Sequence, residues 1–377
     1  MKFFHVSDLH LGKRLHEYSL IEDQKFILDK IVDYAKQHRP DAVLICGDVY
    51  DKSIPTQEAV CLFDSFLTQI CALDIPCLII SGNHDSQERL SFGSAFMSGG
   101  GVHMSPVFSG ETKRIEFNDE LGKVNFYLLP FIKPASLRPF FDEEIVDYTD
   151  AVSVAISRMD IDKSKRNVLL THQFVTGAKR TASEEVSVGG LDNVDASVFC
   201  DFDYVALGHL HSPQHCDRPE IRYSGSILKY SFSEAYDEKS ITVVDMLEKG
   251  SVKISILPLT PLRDLKIIKG TYNELMSPEF YLEKACKEDY VNAVLTDEED
   301  IIDVVSKLRT VYKNLMHVEY DNARTKKDKE PLFYDIEQEL SPYEMFCELY
   351  YLQNNKELSR DQSFHLFKVI YNLKEEL

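Results

Sequence analysis

The sequence predicts an α/β protein: a four-layer α/β/β/α sandwich followed by a small α+β domain and a pair of helices. Three observations lead there. The first hundred residues alternate strand-sized apolar runs with helical segments. Beyond residue 100 short β segments dominate, and five Asp-, His- and Gly-rich motifs each stand directly after an apolar run.

The elements follow in order. Residues 2–7 read as a strand, and Phe26, Ile27, Ile31, Tyr34 and Ala35 then recur at helical spacing until His38-Arg39-Pro40 stops the helix. Residues 41–49 form a second strand ending in Gly47-Asp48. Ala59, Leu62, Phe63, Phe66, Leu67 and Ile70 mark a second amphipathic helix starting after Pro55. Residues 75–81 make a third strand, ending in Gly82-Asn83-His84-Asp85. Short connections through helices require these strands to be parallel. Residues 112–117 and 123–129 flank a turn at 118–122, a hairpin pattern. The segments 167–171, 204–208, 221–224, 240–245 and 251–257, with one helix near 150–158, are expected to continue towards antiparallel β. Two sheets packed face to face with helices outside suit this order.

Residues 258–261 (PLTP) mark a boundary, which sets a core of 1–258. Residues 259–320 hold a strand-helix-strand-helix-strand domain, and the charged stretch 321–331 is a linker by composition. Residues 332–377 carry two helices, with Met345, Phe346, Leu349 and Tyr350 on the first and Phe364, Leu366, Phe367, Ile370 and Tyr371 on the second. Such a pair cannot bury its apolar faces alone and should dock on something.

Composition narrows the function classes. With 42 Lys and Arg against 62 Asp and Glu, the 377-residue chain carries a net charge of −20, so coating nucleic acid through its overall field is excluded. Any DNA site must rely on a few placed basic side chains or on bound cations. No apolar run approaches the ~20 residues of a membrane span, and the N-terminus meets Asp8 too early for a secretory core. Eight scattered cysteines without a Cys-x-x-Cys pair argue against a disulfide framework, so the cytoplasm is the expected compartment. Gly47 to Ser53 imitates a phosphate loop but lacks its second glycine and places Lys52 one residue early. The chain should therefore hold no ATP site.

The five motifs are Asp8-Leu9-His10, Gly47-Asp48, Gly82-Asn83-His84-Asp85, Thr171-His172-Gln173 and Gly208-His209-Leu210-His211. Residues i and i+2 of a strand face the same way, so Asp8 with His10, and His209 with His211, can each grip one ion. A single Asp-x-His is usually a loop or a hydrogen-bonded pair, and Gly-Asp after a strand is usually a turn. Five such motifs in succession are a different matter. Carboxylate, imidazole and amide oxygen together suit Mn²⁺ or Fe²⁺ rather than a thiolate-seeking ion.

This order of motifs resembles the calcineurin-like metallophosphoesterases. The stretches DLHLGK, GDVYD, SGNHDSQERL, GHLHSPQ and YSGSILKYSFSEA are similar to bacterial nuclease subunits of that family. The resemblance implies that Asp8, His10, Asp48 and His211 hold one cation, and Asp48, Asn83, His172 and His209 a second, with Asp48 bridging. It implies two Mn²⁺, with Mg²⁺ or Fe²⁺ as substitutes. His84 would be the catalytic histidine and Asp85 its orienting partner. Archaeal and eukaryotic relatives often carry a histidine three residues after the bridging Asp; here Asp51 stands there, so no second catalytic histidine is assigned. Lys13, Arg14, Arg89, Lys133, Arg138, Lys179 and Arg180 lie near the motifs and could meet a DNA backbone.

The resemblance also implies partners: a coiled-coil ATPase clasped by the C-terminal helices, DNA as substrate, and a homodimer within a 2:2 heterotetramer, with residues 259–320 capping the cleft. The implied activity is ATP-dependent double-strand exonuclease and single-strand or hairpin endonuclease action at the nucleoid. Two rivals use the same core. A phosphatase or cyclic-nucleotide phosphodiesterase would turn over small phosphoesters and ignore DNA. A metal-bound scaffold would lack catalysis.

Overall fold

The computed structural model describes residues 1–180, 192–283, 287–322, 341–354 and 357–372, in two compact units, Met1–Asp321 and Asn322–Leu377. In the first unit, strands β1 (Lys2–Val6), β2 (Ala42–Cys46), β3 (Cys77–Ile80) and β4 (Val102–Met104) run parallel side by side. The second sheet contains β5 (Lys113–Asp119), β6 (Gly122–Leu128), β7 (Arg166–His172), β8 (Tyr204–Gly208), β9 (Gln214–Cys216) and β10 (Arg218–Tyr223). Strands β11 (Ser240–Met246) and β12 (Val252–Pro258) return to the first sheet, giving it the order β12-β11-β1-β2-β3-β4.

The hairpin β5–β6 is antiparallel, with the turn where the sequence places it. Antiparallel pairing also holds for β9 with β10 and for β11 with both β1 and β12, but the expectation is corrected in the middle of the second sheet. The order β9-β10-β8-β7-β6-β5 has four central strands, β10, β8, β7 and β6, that are all parallel. The physical reason is the connections: long crossovers, not tight turns, join Leu128 to Arg166 and His172 to Tyr204, and they bring each strand back in the same direction. Every residue of β7 and β8 is buried, as in strands covered on two sides.

Period-2 alternation divides the core into layers. On β1 and β2, Phe4, Val6, Val43 and Ile45 face helices α1 (Ile21–His38) and α2 (Gln57–Cys71). Phe3, Ala42, Leu44 and Cys46 face the other way, against Phe126, Leu128, Val168, Leu170 and Tyr204 of the second sheet. The outer face of that sheet packs on α3 (Tyr148–Ser157) through Ala151, Val152, Ala155 and Ile156. The result is the α/β/β/α sandwich. Arg39 ends α1 in the left-handed conformation at φ 46°, immediately before Pro40. Thr56 caps α2, accepting the Ala59 N–H at 3.3 Å, one residue beyond Pro55.

A third sheet, β13 (Leu265–Gly270), β14 (Tyr290–Leu295) and β15 (Asn314–Tyr320), is wholly parallel and belongs to the first unit. It is tied to α1 by the buried Asp23 carboxylate, which takes two bonds from Arg263 (3.0 and 2.8 Å) and one from the Tyr290 hydroxyl (2.8 Å). The second unit contains helices α4 (Pro342–Asn354) and α5 (Arg360–Asn372). Met345, Phe346, Phe364 and Phe367 are exposed on them, while the side chains of Leu349 and Tyr371 lie outside the described residues. So does most of the 321–331 linker, from residue 323 onward.

His5 joins the two large sheets. Its Nε2–H donates to the Leu207 carbonyl at 3.1 Å, and Nδ1 accepts from the Tyr204 hydroxyl at 2.9 Å. Burial lowers its pKa to about 3. The folded chain thus keeps His5 neutral while the unfolded chain protonates it near pH 6.5, so its contribution is complete above that value and lost as the pH falls. Between pH 7.5 and 5 this removes about 2 kcal/mol at 1.36 kcal/mol per pH unit. In urea titrations with chelator, His5→Gln should show a stability–pH slope shallower than the parent by that amount; equal slopes would rule the assignment out.

Candidate metal centre

The strand ends carrying the five motifs meet at one edge of the sandwich, where the backbones approach very closely. A Cβ on Gly208 would lie 1.8 Å from the Cys46 carbonyl oxygen, and one on Gly82 would lie 2.2 Å from Asp48 Oδ1. Only glycine fits at either position. Asp8, His10, Asp48 and His209 all have positive φ, at 52°, 43°, 48° and 104°. Four non-glycine residues in the left-handed region within one site is stored strain of the kind that aims side chains.

Those side chains converge. Three mixed groups, Asp8 with His10 and His211, His10 with Asp48 and His84, and Asp8 with Asp48 and His172, each place their ligand atoms within 4.8 Å of one another. His172 reaches from the second sheet, donating Nδ1–H to the Cys46 carbonyl at 2.8 Å. That bond turns Nε2 into the site, 3.4 Å from Asp48 Oδ2 and 3.0 Å from Asn83 Oδ1. Asn83 Oδ1 is also 3.0 Å from His209 Nδ1. All seven expected ligands are thus gathered, and all but Asn83 are buried.

The electrostatics fit a cationic centre. Burial pushes the Asp8 carboxyl up to about 6, against the pull of His172 and His211. Burial would also raise Asp48, but the charge and hydrogen bond of His172, with His10 and His84, hold it well below the usual carboxylate range. His172 is raised to about 9 because Asp48 overrides its burial, whereas burial and His172 lower His209 to about 3. His10 supplies the most direct test of fit. Its Nε2 faces His211 Nε2 at 3.1 Å, and its buried Nδ1 has no hydrogen-bond partner. Two imidazole nitrogens aimed at each other beside two buried carboxylates suit a divalent metal cation.

His84 and Asp85 behave differently from one another. The His84 ring packs edge-on against His10, its Nδ1–H donates to the Asp51 carbonyl at 3.0 Å, and its backbone N–H donates to Asp48 Oδ1. The expectation that Asp85 orients His84 is corrected. The Asp85 carboxylate is taken up by three backbone N–H groups, those of Val49, Tyr50 and Gly82, at 3.0, 2.9 and 2.9 Å. It ties the Gly47-Asp48 and Gly82-Asn83 loops together, and the Asp51 carbonyl does the orienting.

The basic residues divide by what they already hold. Lys13 pairs with Asp51 at 2.8 Å, Arg14 bonds the Glu17 carbonyl, and Arg138 donates to the Ile145 carbonyl. Arg180 pairs with Asp192 at 2.6 Å and lies over the Phe174 ring, and Lys133 lies over Phe131. Arg89 and Lys179 are exposed. Sequence reading missed the Cys46 and Asp51 carbonyls, for which no side-chain signal exists. It also missed Glu234, whose Oε1 lies 3.2 Å from His211 Nδ1. Glu234 sits in the SFSEA stretch, but its partner is 23 residues away in sequence.

Comparisons with known proteins show the family. The family model for calcineurin-like phosphoesterases matches residues 1–213. The chain belongs to the calcineurin-like phosphoesterase family. Within that family it falls with the SbcD proteins: the SbcD component of the SbcCD nuclease from Staphylococcus epidermidis is 36% identical over 321 residues, 84% of each chain. A second family model, for the type 5 capsule protein repressor C-terminal domain, matches residues 261–354. Among solved structures, a dimetal phosphatase from Danio rerio aligns with 69% of this chain and 98% of its own at TM-score 0.44 and 13% identity. A Thermus thermophilus protein aligns with 68% and 98% at TM-score 0.38 and 13% identity. This phosphoesterase therefore combines the family's fold with a donor set suited to divalent metal. Among its described residues no helix is long and apolar enough to cross a membrane.

Removing the Asp85 carboxylate orphans three backbone N–H groups, two of them buried, each worth ~1–3 kcal/mol. Asp85→Ala should therefore lose roughly 3–5 kcal/mol in urea unfolding of the metal-free chain. His84→Ala, at a half-buried ring, should lose less than ~1 kcal/mol. Equal losses would show that Asp85 does not hold the loops.

Proposed function

We propose that the chain is the two-metal DNA nuclease subunit of an SbcCD-type complex. It acts with Mn²⁺ as an ATP-dependent double-strand exonuclease and as a single-strand or hairpin endonuclease, in DNA repair, recombination and replication at the nucleoid. One observation carries the reading: seven nitrogen and oxygen donors from five strand ends meet at one edge of the sandwich, in a chain matching a named nuclease over 84% of its length.

Asp8, His10, Asp48 and His211 hold one cation; Asp48, Asn83, His172 and His209 hold the other. Bound, the pair supplies Lewis acidity towards the phosphodiester and an activated water. His172 is presented through Nε2 because the Cys46 carbonyl takes its other nitrogen. His84, anchored through Nδ1 on Asp51, keeps Nε2 for the phosphoryl oxygen or the leaving 3′ oxygen, to which it delivers a proton. Exposed Arg89 and Lys179, with Lys13, Arg14 and Arg180 nearby, line the approach for the DNA backbone. Residues 1–258 are the nuclease core and 259–320 the cap. Residues 321–331 form the linker, and the 332–377 helices bind an SbcC-type coiled-coil ATPase in a 2:2 assembly. The exposed Phe346, Phe364 and Phe367 support that last assignment: a pair of short helices leaves them unburied.

The decisive experiment incubates the chain with Mn²⁺ and hairpin DNA, with and without its ATPase partner; turnover of small phosphoesters alone would instead make it a phosphatase. Asp48→Ala should abolish cleavage and lose the paired ions in calorimetry, and two tight Mn²⁺ in that variant would refute the bridging role. His84→Ala should keep both ions while cleavage falls ~10²–10⁴-fold; loss of an ion would move His84 into the coordination shell. Deleting residues 332–377 should preserve Mn²⁺-dependent endonuclease activity and abolish co-purification with the ATPase and stimulation by ATP. A truncated chain that still binds the partner, or no longer folds, would refute the assignment of these helices.

A further inference from the structure

One buried ionic cluster stands behind the metal centre. Strand β10 leads through residues 224–230 into a short 3-10 turn, Phe232–Glu234, capped by Ser231. The turn brings Glu234, with no solvent exposure, under His211. Glu234 Oε1 lies 3.2 Å from His211 Nδ1, and Oε2 takes the Lys239 ammonium at 2.6 Å and the Ser226 hydroxyl at 3.4 Å. The Lys239 side chain is only 3% exposed. Its Nζ also donates to the backbone carbonyl of His211 at 2.8 Å and to Asp237 Oδ2 at 3.3 Å. Asp237 accepts in turn from the hydroxyl of Ser212, the residue after His211, at 2.6 Å.

We propose that Lys239 and Glu234 are positioning residues that clasp His211 at both ends, ring and backbone, and so aim its Nε2 at a cation. The proposal rests on the reading of His211 as a metal ligand. With Nδ1–H donated to a carboxylate, the ring is locked as the tautomer whose Nε2 carries the lone pair. That nitrogen faces His10 Nε2 at 3.1 Å, and His211 as a residue is grouped with Asp8 and His10. The ammonium fixes the carboxylate that fixes the ring, and it separately fixes the carbonyl at the foot of the same residue. A Lys–Glu pair withdrawn from water is a poor source of stability, because desolvation consumes most of its attraction. Holding one imidazole in one orientation is a task that a hydrophobic replacement could not perform.

The experiment measures Mn²⁺ binding to the full chain by calorimetry, with ¹⁵N NMR of the metal-free protein reporting the His211 tautomer. Lys239→Met and Glu234→Ala should each weaken one of the two Mn²⁺ by about 10–100-fold and leave the other unchanged. The His211 signals should move from a single Nδ1–H tautomer towards a mixture. Glu234→Gln keeps an acceptor for Nδ1–H and should restore the tautomer and part of the affinity. If Lys239→Met does not fold, Lys239→Arg and Glu234→Gln carry the same comparison. Folded variants with two Mn²⁺ at parental affinity would overturn the clasp, and so would equal weakening of both ions with an unchanged tautomer. His211→Ala separates the two levels: if it retains both ions, the ligand reading itself fails, whatever the clasp does.

Discussion

The bond from His172 Nδ1–H to the Cys46 carbonyl is the constraint on which the site depends. It crosses between the two sheets at the ends of β7 and β2, and it exists only because the backbones there are almost in contact. Gly208 provides that contact; any side chain would drive into the same carbonyl. Once the sheets meet at this distance, the loops after their strands have no room for relaxed geometry. Four of the residues expected to bind metal take left-handed backbone conformations as a consequence. The strain is held in place by bonds such as those from the Asp8 and His10 N–H groups to the Gly47 and Asp48 carbonyls, at 3.1 and 2.9 Å. The fold spends conformational energy to present side chains.

Those side chains are a costly set to bury. Asp8, Asp48 and four imidazoles lie at or below 8% exposure, where neither isolated charge nor unsatisfied polar atoms are tolerated. The chain offsets part of this internally. His172 balances Asp48, and the Asp8 oxygens accept the His209 N–H at 3.1 and 3.2 Å. The His10–His211 face has no such internal solution, since one nitrogen of His10 stays unpartnered whichever ring donates. A divalent cation answers the excess of lone pairs there without adding a proton. The site's composition is therefore better explained as a cation receptacle than as a hydrogen-bond network.

Legibility from sequence followed the range of the interaction. The seven donors were readable because each sits in a short motif at the end of an apolar strand, where spacing alone sets direction. The parallel pairing of β6, β7, β8 and β10 was not, because a buried five-residue apolar run such as Tyr204–Gly208 suits either direction and only the crossovers decide. Asp85 misled for a related reason. Adjacency to His84 suggested a side-chain pair, but in a tight loop the cheaper partners are backbone N–H groups from the neighbouring loop 36 residues away. Backbone acceptors such as the Cys46 and Asp51 carbonyls carry no residue signature at all.

The distribution of positive charge bears on how so acidic a chain could meet a polyanion. Net charge −20 opposes approach at long range, and several basic side chains near the site are already committed: Lys13 to Asp51, Arg180 to Asp192, Lys239 to Glu234. Each pair leaves one cation fewer to face a polyanion. Attraction at the site then has to come from what the buried donors bind. In the proposed reading, two divalent ions would supply four positive charges at the phosphate while leaving the surrounding surface acidic. Coulomb attraction in that arrangement acts within a Debye length of the cleft, about 8–10 Å at physiological salt. Gathering a long polymer would then fall to other surfaces, the small parallel sheet, the exposed helices or a partner chain, and the metal centre would discriminate only at contact.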